Sequence, residues 1–188
     1  MHASQEDLGT MHSTPGSLAA IAILATAFVG ACEPTNQGYA PSQPIAFSHA
    51  THAGTNQVAC QYCHYTAERS RHAGFPPAGV CLNCHTQILA TSPEIQKVRN
   101  AIATRRPIPW TRVHVLPDFA YFNHAAHVQG GVACQTCHGP VETMATIEQT
   151  APLTMGFCLD CHRQQTQFAQ PGDVASANRL TDCVVCHH

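Results

Sequence analysis

Residues 122–138 read Phe-Asn-His-Ala-Ala-His-Val-Gln-Gly-Gly-Val-Ala-Cys-Gln-Thr-Cys-His. The last five residues form a Cys-x-x-Cys-His run, which is the attachment signature of c-type haem. In such a run both thiols form thioether bonds to the porphyrin edge, and the short turn between them directs the next imidazole at the iron. One run alone would leave a zinc knuckle or a redox dithiol open.

The same run occurs five times and uses ten of the eleven cysteines. Zinc sites and disulfide frameworks have no need of a His directly after every second Cys. The repetition therefore predicts five covalently bound haem c groups, at runs that are numbered sites 1 to 5 in chain order. The predicted thioether residues are Cys60 and Cys63, Cys81 and Cys84, Cys134 and Cys137, Cys158 and Cys161, and Cys183 and Cys186, and the predicted proximal iron ligands are His64, His85, His138, His162 and His187.

The composition agrees with a chain that is held together by more than its own side chains. Only 11% of the 188 residues are charged and 6% are aromatic, whereas an average soluble domain is about 25% charged. The net charge of −2 offers no basic surface for nucleic acid. We therefore expect a multihaem cytochrome c fold with a thin side-chain core, mostly coil with short α-helices wrapped around five haems, and little or no sheet.

An apolar stretch at residues 18–30 precedes Cys32. It is shorter than the ~20 apolar residues of a transmembrane helix and is typical of an export signal. Small residues before Cys32 predict a lipoprotein cleavage site with a lipid on that Cys, but no Lys or Arg precedes Arg69, so an uncleaved short anchor or simple secretion stays open. Residues 1–31 are therefore predicted to be a lipoprotein-type signal or a short membrane anchor, and residues 32–46 an extended tether.

An internal repeat organises the remainder of the chain. A six-residue block reads Phe-Ser-His-Ala-Thr-His at 47–52 and Phe-Asn-His-Ala-Ala-His at 122–127, and each copy leads into two sites. The repeat predicts a duplicated two-haem module. The predicted pentahaem domain covers residues 47–188. Its two modules lie at 47–85 and 122–162, and its fifth haem lies at 183–187.

One longer helix is predicted between the modules. The sequence Ser-Pro-Glu at 92–94 is a typical helix start, because Ser is a favoured N-cap, Pro suits the first helical position and Glu favours the positive end. Ile95, Val98 and Ile102 then form one apolar stripe. Because an Arg-Arg-Pro sequence follows and must end the helix, the linker helix is expected at about 92–104.

A six-coordinate iron needs a second axial ligand in addition to the proximal His. Of fourteen His residues, five are proximal and two lie in the leader, so seven remain for five positions. The two imidazoles of each block lie three residues apart on one face of a turn, and each can reach a different iron. The candidate distal ligands are His49, His52, His72, His114, His124 and His127, with His188 and the thioethers of Met144 and Met155 as alternatives.

The Phe-x-His-x-x-His blocks resemble those of the class III cytochrome c family, of the c3 and c7 types. Residues 107–124, 134–140 and 152–163 resemble, more specifically, the pentahaem subunit of alternative complex III. This resemblance implies a membrane-associated quinol oxidoreductase with an iron–sulfur subunit, integral membrane subunits and often a monohaem cytochrome. It also implies that the pentahaem subunit carries electrons out of the complex, and that the first six distal candidates belong to the family motif.

A haem with two protein ligands has no coordination site for a substrate, whereas it can exchange an electron with little rearrangement. We therefore predict an electron-transfer subunit, not an enzyme in itself, that relays electrons from a quinol-oxidising membrane complex to a cytochrome, oxidase or reaction-centre acceptor. Because haem c is attached outside the cytoplasm, the predicted place is the periplasmic face of the cytoplasmic membrane. Two alternatives stay open: a free or filament-forming multihaem carrier, and a multihaem reductase of a small oxyanion.

Overall fold

The computed structural model describes residues 35–166 and 180–188. Within these ranges the chain is mostly coil with short helices, and it contains no β-strand. The helices are α1 (Cys60–Cys63), α2 (Ala78–His85), α3 (Pro93–Thr104), α4 (His124–Gln129), α5 (Gln135–His138), α6 (Met155–Thr166) and α7 (Cys183–Cys186), with a π-helical turn at Ala50–Thr55 and a 3-10 turn at Val141–Thr143. The predicted architecture of short helices in coil is confirmed for this part of the chain.

Every Cys-x-x-Cys-His run lies on or directly beside a short helix: α1, α2, α5, α6 or α7. At three sites the amide of the His donates to the carbonyl of the first Cys, at 2.9 Å in sites 1 and 5 and at 3.0 Å in site 3. This bond joins residues four apart and closes one helical turn. Because residues three and four apart share one face of a helix, both thiols and the imidazole of a run point to the same side.

The linker helix α3 lies close to its predicted bounds. Ser92 is its N-cap and accepts a hydrogen bond from the Ile95 amide at 3.2 Å, and Arg105 ends it in the left-handed conformation with a φ of 54°. Of the predicted apolar stripe, Ile95 and Val98 are buried, whereas Ile102 is 43% exposed. Ile102 differs because it lies in the last turn, outside the cluster that the first turns form with α2.

The side-chain core is small. Ile45, Ile95 and Val98 form a buried cluster, and partly buried side chains from α2 and from the segment after α3 pack against it, namely Ala78, Cys81, Leu82, Ile108 and Trp110. In the rest of the described chain the buried apolar residues are Val113, Met144 and Ala151. The thin core expected from the composition is therefore confirmed.

Backbone contacts join the two modules. The π-helical turn of the first module packs on the 3-10 turn that follows site 3, and the Ala50 amide donates to the Met144 carbonyl at 2.8 Å. In the other direction, the His124 amide of the second module donates to the carbonyl of Arg71, which lies between sites 1 and 2, at 3.2 Å. Segments of the two predicted modules are therefore in direct contact at two places.

The described part of the predicted tether, residues 35–46, is held against the domain. The Gly38 amide donates to the Gln149 carbonyl at 2.8 Å, and the Gln149 amide donates to the Tyr39 carbonyl at 3.1 Å. The segment is free of helix, and these two hydrogen bonds fix it to a loop more than a hundred residues away in sequence.

The predicted signal or anchor at residues 1–31 and the predicted lipidation of Cys32 lie outside the described residues, so both stay predictions. Among the helices that are described, none combines the length and the apolar character needed to cross a membrane.

Candidate functional site

Three pairs of imidazoles lie close together, and each pair joins one predicted distal ligand to one predicted proximal ligand. The ring centroids are 6.1 Å apart for His52 and His85, 6.4 Å for His124 and His138, and 5.9 Å for His127 and His162. An imidazole nitrogen lies about 2 Å from a bound transition-metal ion and about 1 Å in front of its ring centroid, so two imidazoles on opposite sides of one ion have centroids about 6 Å apart. The three pairs therefore fit double ligation at sites 2, 3 and 4.

Backbone carbonyls orient most of these imidazoles. An Nδ1–H that donates to a carbonyl fixes the tautomer and leaves Nε2 to bind a metal. Six His side chains place Nδ1 within hydrogen-bonding distance of a carbonyl oxygen. The bonds are His52 to Ser48 (2.8 Å), His85 to Ile88 (2.8 Å), His124 to Arg71 (3.1 Å), His127 to Asn123 (2.8 Å), His162 to Leu180 (2.6 Å) and His187 to Phe119 (3.0 Å).

The Phe that opens each block has a role that sequence reasoning missed. Phe47 stacks on His52 at 4.3 Å and meets His49 edge-on at 4.8 Å. Phe122 repeats both contacts, at 4.4 Å with the second imidazole of its block and 4.7 Å with the first. One ring thus orients two imidazoles, and the recurrence of Phe at the same place in both blocks was the sequence signal for it.

Site 1 brings His49 close to the proximal His64. Burial, followed by the charges of His64 and His52, lowers the pKa of His49 to about 4. Burial also lowers the pKa of His64. Because only a neutral imidazole binds a metal, this environment holds both rings in the ligating form. The Nδ1 of His49 is buried and has no hydrogen-bond partner within the described residues.

Site 3 has two imidazoles beside its proximal ligand. In addition to His124, His114 lies edge-on against His138, with 4.3 Å between the ring centroids and 76° between the ring planes. The pKa of His138 is lowered to about 4, mainly by burial and then by the charges of His114, His124, His64 and His49, in that order. The Nε2 of His114 is buried without a partner among the described side chains and backbone.

The remaining distal candidates have varied surroundings. His72 is exposed, and its amide donates to the Ser70 hydroxyl at 3.2 Å. His188 stacks on Tyr121 with 4.1 Å between the ring centroids. Met144 is a buried core residue, whereas Met155 is 66% exposed at the start of α6. Their ligand roles stay predictions.

The donor chemistry fits haem c. None of the ten cysteines of the runs is paired in a disulfide, and all are exposed or partly buried, so each can form a thioether. Fourteen large apolar side chains are also exposed among the described residues. A large apolar macrocycle at each site would remove such side chains from water, which is favourable in proportion to the area covered.

Thiol contacts show which sites are neighbours at one end of the molecule. Burial raises the pKa of Cys63, and the Cys81 and Cys84 thiols of site 2 raise it further. Burial raises the pKa of Cys60 as well, and the neighbouring Cys134 thiol of site 3 raises it further. Site 1 therefore lies between sites 2 and 3.

The pKa shifts of two other thiols show which sites are neighbours at the other end of the molecule. Burial raises the pKa of Cys137, followed by the charges of Cys158 and Cys161 of site 4. Burial raises the pKa of Cys158, followed by the charge of Cys186 of site 5. The sites thus follow one another in the spatial order 2–1–3–4–5, which differs from their order in the chain.

Known proteins with similar sequences agree with this site. Residues 120–188 match the family described as cytochrome c7 and related cytochrome c. The chain is also 28% identical, over 166 residues, to the multiheme cytochrome c subunit of menaquinone reductase from Nitratidesulfovibrio vulgaris (strain Hildenborough), covering 77% of this chain and 76% of that protein.

These similarities bear out the fold class and the kind of cofactor that the sequence predicted, covalently bound haem c. The narrower resemblance to alternative complex III is not confirmed by them and stays a prediction. Residues 120–188 are thus similar to cytochrome c7 and related cytochromes, and most of the chain is similar to a multihaem cytochrome c subunit of a menaquinone reductase.

Proposed function

We propose that this chain is a pentahaem electron-transfer subunit that relays electrons between a membrane quinone oxidoreductase and an acceptor outside the cytoplasm. The observation that carries the proposal is the set of three imidazole pairs with centroids 5.9 to 6.4 Å apart. When bound, haem c supplies one-electron exchange at its iron. Where two imidazoles would hold one iron, as at sites 2, 3 and 4, that iron would have no position left for a substrate, and these residues would hold the cofactor without bond chemistry of their own.

The neighbour order supports a continuous path. The Asn83 amide of site 2 donates to the Tyr62 hydroxyl of site 1 at 3.0 Å, and the thiols of Cys60 and Cys134 join site 1 to site 3. The His162 imidazole of site 4 bonds to the Leu180 carbonyl, close to site 5, at 2.6 Å. Electrons would enter at one end of this path and leave at the other, so sites 2 and 5 are the proposed terminals.

The proposed partners are iron–sulfur and integral membrane subunits of the oxidoreductase, and a cytochrome, oxidase or reaction centre as the acceptor. This is the arrangement implied by the resemblance to alternative complex III, with the chain on the periplasmic face of the cytoplasmic membrane and a lipid on Cys32. The predicted export signal supports this location, because haem c is attached outside the cytoplasm.

The opposite direction of electron flow is a second candidate. The similar subunit from Nitratidesulfovibrio vulgaris belongs to a menaquinone reductase, which favours electrons that enter from an external donor and pass to a quinone. The same path of haems serves either direction, since the potentials of the donor and the acceptor set the sign of the flow.

The test is purification of the chain from native membranes in a mild detergent. We expect five haems per chain in a pyridine haemochrome assay, low-spin ferric EPR signals, and co-purification of membrane and iron–sulfur subunits. Quinol oxidation by that complex would support the first direction, and quinone reduction with a reduced cytochrome donor the second. A haem count below five, purification of the chain alone, or a high-spin haem that reduces an oxyanion would overturn the proposal.

A further inference from the structure

We propose that residues 97–112 form a basic surface that binds the headgroups of anionic phospholipids and holds site 2 toward the membrane. The inference rests on the proposed function only in that it takes the chain to lie at a membrane outside the cytoplasm. It adds the part of the molecule that contacts the lipid, and it assigns site 2 to the membrane side of the proposed electron path.

The charges of the chain are unevenly distributed. Five of its nine Lys and Arg residues lie within residues 97–112, and no Asp or Glu lies between Glu94 and Asp118. In the rest of the described chain seven Asp and Glu residues outnumber three Arg residues, and the propionates of bound haems would add to that negative charge. The five cations that define the basic surface are Lys97, Arg99, Arg105, Arg106 and Arg112.

Most cations of the basic surface are available to an external anion. Lys97, Arg105, Arg106 and Arg112 are exposed. Lys97 is paired with Glu94 at 2.8 Å, whereas no carboxylate of the described residues lies within ion-pair distance of the three exposed arginines. Clustered cations without internal partners raise the local positive potential and attract anionic groups from solution.

A groove with both charged and apolar lining lies within this surface. It has a volume of about 380 Å³ and is bounded by α3, the segment that follows α3 and the end of the tether. Lys97 and Arg106 line it together with the apolar side chains of Ile45, Ala101 and Ile108. The groove therefore offers cations for a phosphate and apolar surface for the glycerol ester and the first methylene groups of a lipid, whereas an acidic protein segment would use only the cations.

Large apolar side chains also accompany the cations. Ile102, in the last turn of α3, is 43% exposed. Phe75 is exposed and stacks on Trp110, with 6.5 Å between the ring centroids. Surfaces that lie in a membrane interface combine Lys and Arg with Trp, Phe and aliphatic residues. This composition favours lipid over an acidic protein as the occupant.

The tether is attached to the same surface. Gln43 and Thr111 exchange two hydrogen bonds, at 2.9 and 3.0 Å, and Lys97 donates to the Pro44 carbonyl at 3.1 Å. The chain before Gln43 leads back to Cys32, the predicted lipid-bearing residue. A lipid anchor holds a chain at a membrane without orienting its domain. Because a second contact made by the anchored chain is intramolecular, even a weak headgroup site would be occupied.

The basic surface lies beside site 2. Helix α3 packs against α2, which carries the Cys-x-x-Cys-His run of that site. The Arg99 guanidinium donates to the carbonyl of His85, the predicted proximal ligand of site 2, at 3.4 Å. A membrane bound at this surface would therefore lie next to site 2, where membrane subunits would exchange electrons with the chain. Site 5, at the other end of the spatial order, would serve the acceptor.

The test is the partition of the full-length holoprotein onto lipid vesicles, measured by co-sedimentation. Vesicles of phosphatidylcholine alone are compared with vesicles in which about a third of the lipid is the anionic phosphatidylglycerol. We expect tighter binding to the anionic vesicles, and high salt should remove the difference because it screens exposed charges. The predicted anchor would act on both kinds of vesicle and so cancels in the comparison.

Charge variants locate the binding site. Arg106→Gln should weaken binding to the anionic vesicles about fivefold, and Arg105→Gln combined with Arg106→Gln about 25-fold, because each cation near an anionic surface contributes a factor of about that size. Arg106→Lys keeps the charge and should bind like the wild type. Arg69→Gln is the matched control, since Arg69 is exposed and lies outside the basic surface, and it should leave binding unchanged.

Three results would overturn the proposal: equal binding of the wild type to both kinds of vesicle, unchanged binding of the double variant, or an equal loss in Arg69→Gln. If the double variant loses other subunits on purification without a change in vesicle binding, the surface binds an acidic protein instead of lipid. A haem count below five with intact vesicle binding would contradict the proposed function and not this inference, so the two failures are distinguishable.

Discussion

The two Phe-x-His-x-x-His blocks place their imidazoles in the same way, although the segments that lead from them to the next Cys differ in length. From the Phe to the first Cys that follows, the first block is one residue longer than the second. The π-helical turn Ala50–Thr55 takes up the extra residue, since the Asn56 amide donates to the Thr51 carbonyl, five residues back, at 3.0 Å. The second block forms the α-helical turn α4, in which the Gly130 amide donates to the Ala126 carbonyl, four residues back, at 3.0 Å.

The imidazoles nevertheless keep their spacing. The second His of each block lies 6.1 Å and 5.9 Å from the proximal ligand that it faces. The residue after each Phe also fixes its turn in the same way, because Ser48 accepts from the Thr51 amide at 3.2 Å and Asn123 from the Ala126 amide at 3.4 Å. A π-turn inserts one residue into a helix locally. The comparison shows that the imidazoles of the two blocks keep the same position, whereas the backbone turns that carry them differ.

The largest effect is expected from removing the second imidazole of either block. His52→Ala and His127→Ala should each turn one haem high-spin, because each removes one ring of a facing pair. EPR of the ferric protein measures this, and the haemochrome assay should still find every haem, since the thioethers are untouched. If either variant keeps all its haems low-spin, the two blocks do not perform the same task.

A smaller loss of stability is expected from Gly54→Ala. A Cβ at Gly54 would collide with the backbone carbonyl of Glu142, where the π-helical turn packs on the 3-10 turn. The free energy of unfolding should fall by about 1–3 kcal/mol, as for other overpacked sites, measured by urea denaturation. Gly79→Ala is the matched control, because a Cβ there meets nothing within 4 Å. Equal stability of the two variants would contradict the tight contact between the modules.

The next effect in size concerns the Phe of each block. Phe47→Leu and Phe122→Leu should each lower the free energy of unfolding by about 1 kcal/mol beyond the apolar area lost, because an aromatic pair contact disappears. The low-spin EPR signals should broaden as the imidazoles lose a fixed orientation. Broadening in only one of the two variants would contradict the inference that the two blocks are equivalent. Phe75→Leu, outside both blocks, is the control.

The smallest effect is expected three residues before the first Cys-x-x-Cys-His run of each module, where the chain adopts a positive φ. The residue is Gln57 in the first module, with φ of 52°, and Gly131 in the second, with φ of 78°. Gln57→Gly should raise the free energy of unfolding by about 1 kcal/mol, because a left-handed conformation costs a residue with a Cβ about that much. Gly131→Gln should lower it by a similar amount, and changes of equal sign in a denaturation experiment would contradict this reading.

Local features of the chain could be predicted from the sequence, because short-range chemistry determines them. The helical turns at the Cys-x-x-Cys-His runs, the N-cap at Ser92 and the absence of strands in the described part all follow from residues within a few positions of one another. Within the second block, His124 and His127 lie near the proximal residues of two different sites, as their spacing on one turn allows.

Long-range features could not be predicted. The contact between Cys60 and Cys134, the docking of Gly38 on Gln149 and the edge contact of His114 with His138 join residues that are far apart in sequence or that carry no mutual signal. They depend on how the coil wraps, which no local pattern encodes. The role of the Phe rings is intermediate, since their recurrence was visible but the geometry was not.

The spatial order 2–1–3–4–5 bears on how such a chain could have grown. If the C-terminal sites are removed one at a time, the sites that are left still touch in an unbroken series: 2–1–3–4, then 2–1–3, then 2–1. Each addition at the C-terminus would therefore lengthen the proposed electron path at one end only, and the opposite end at site 2 would keep its surroundings. An ancestor with two haems could have reached a more distant partner by successive duplication, without any rearrangement of the part already in use.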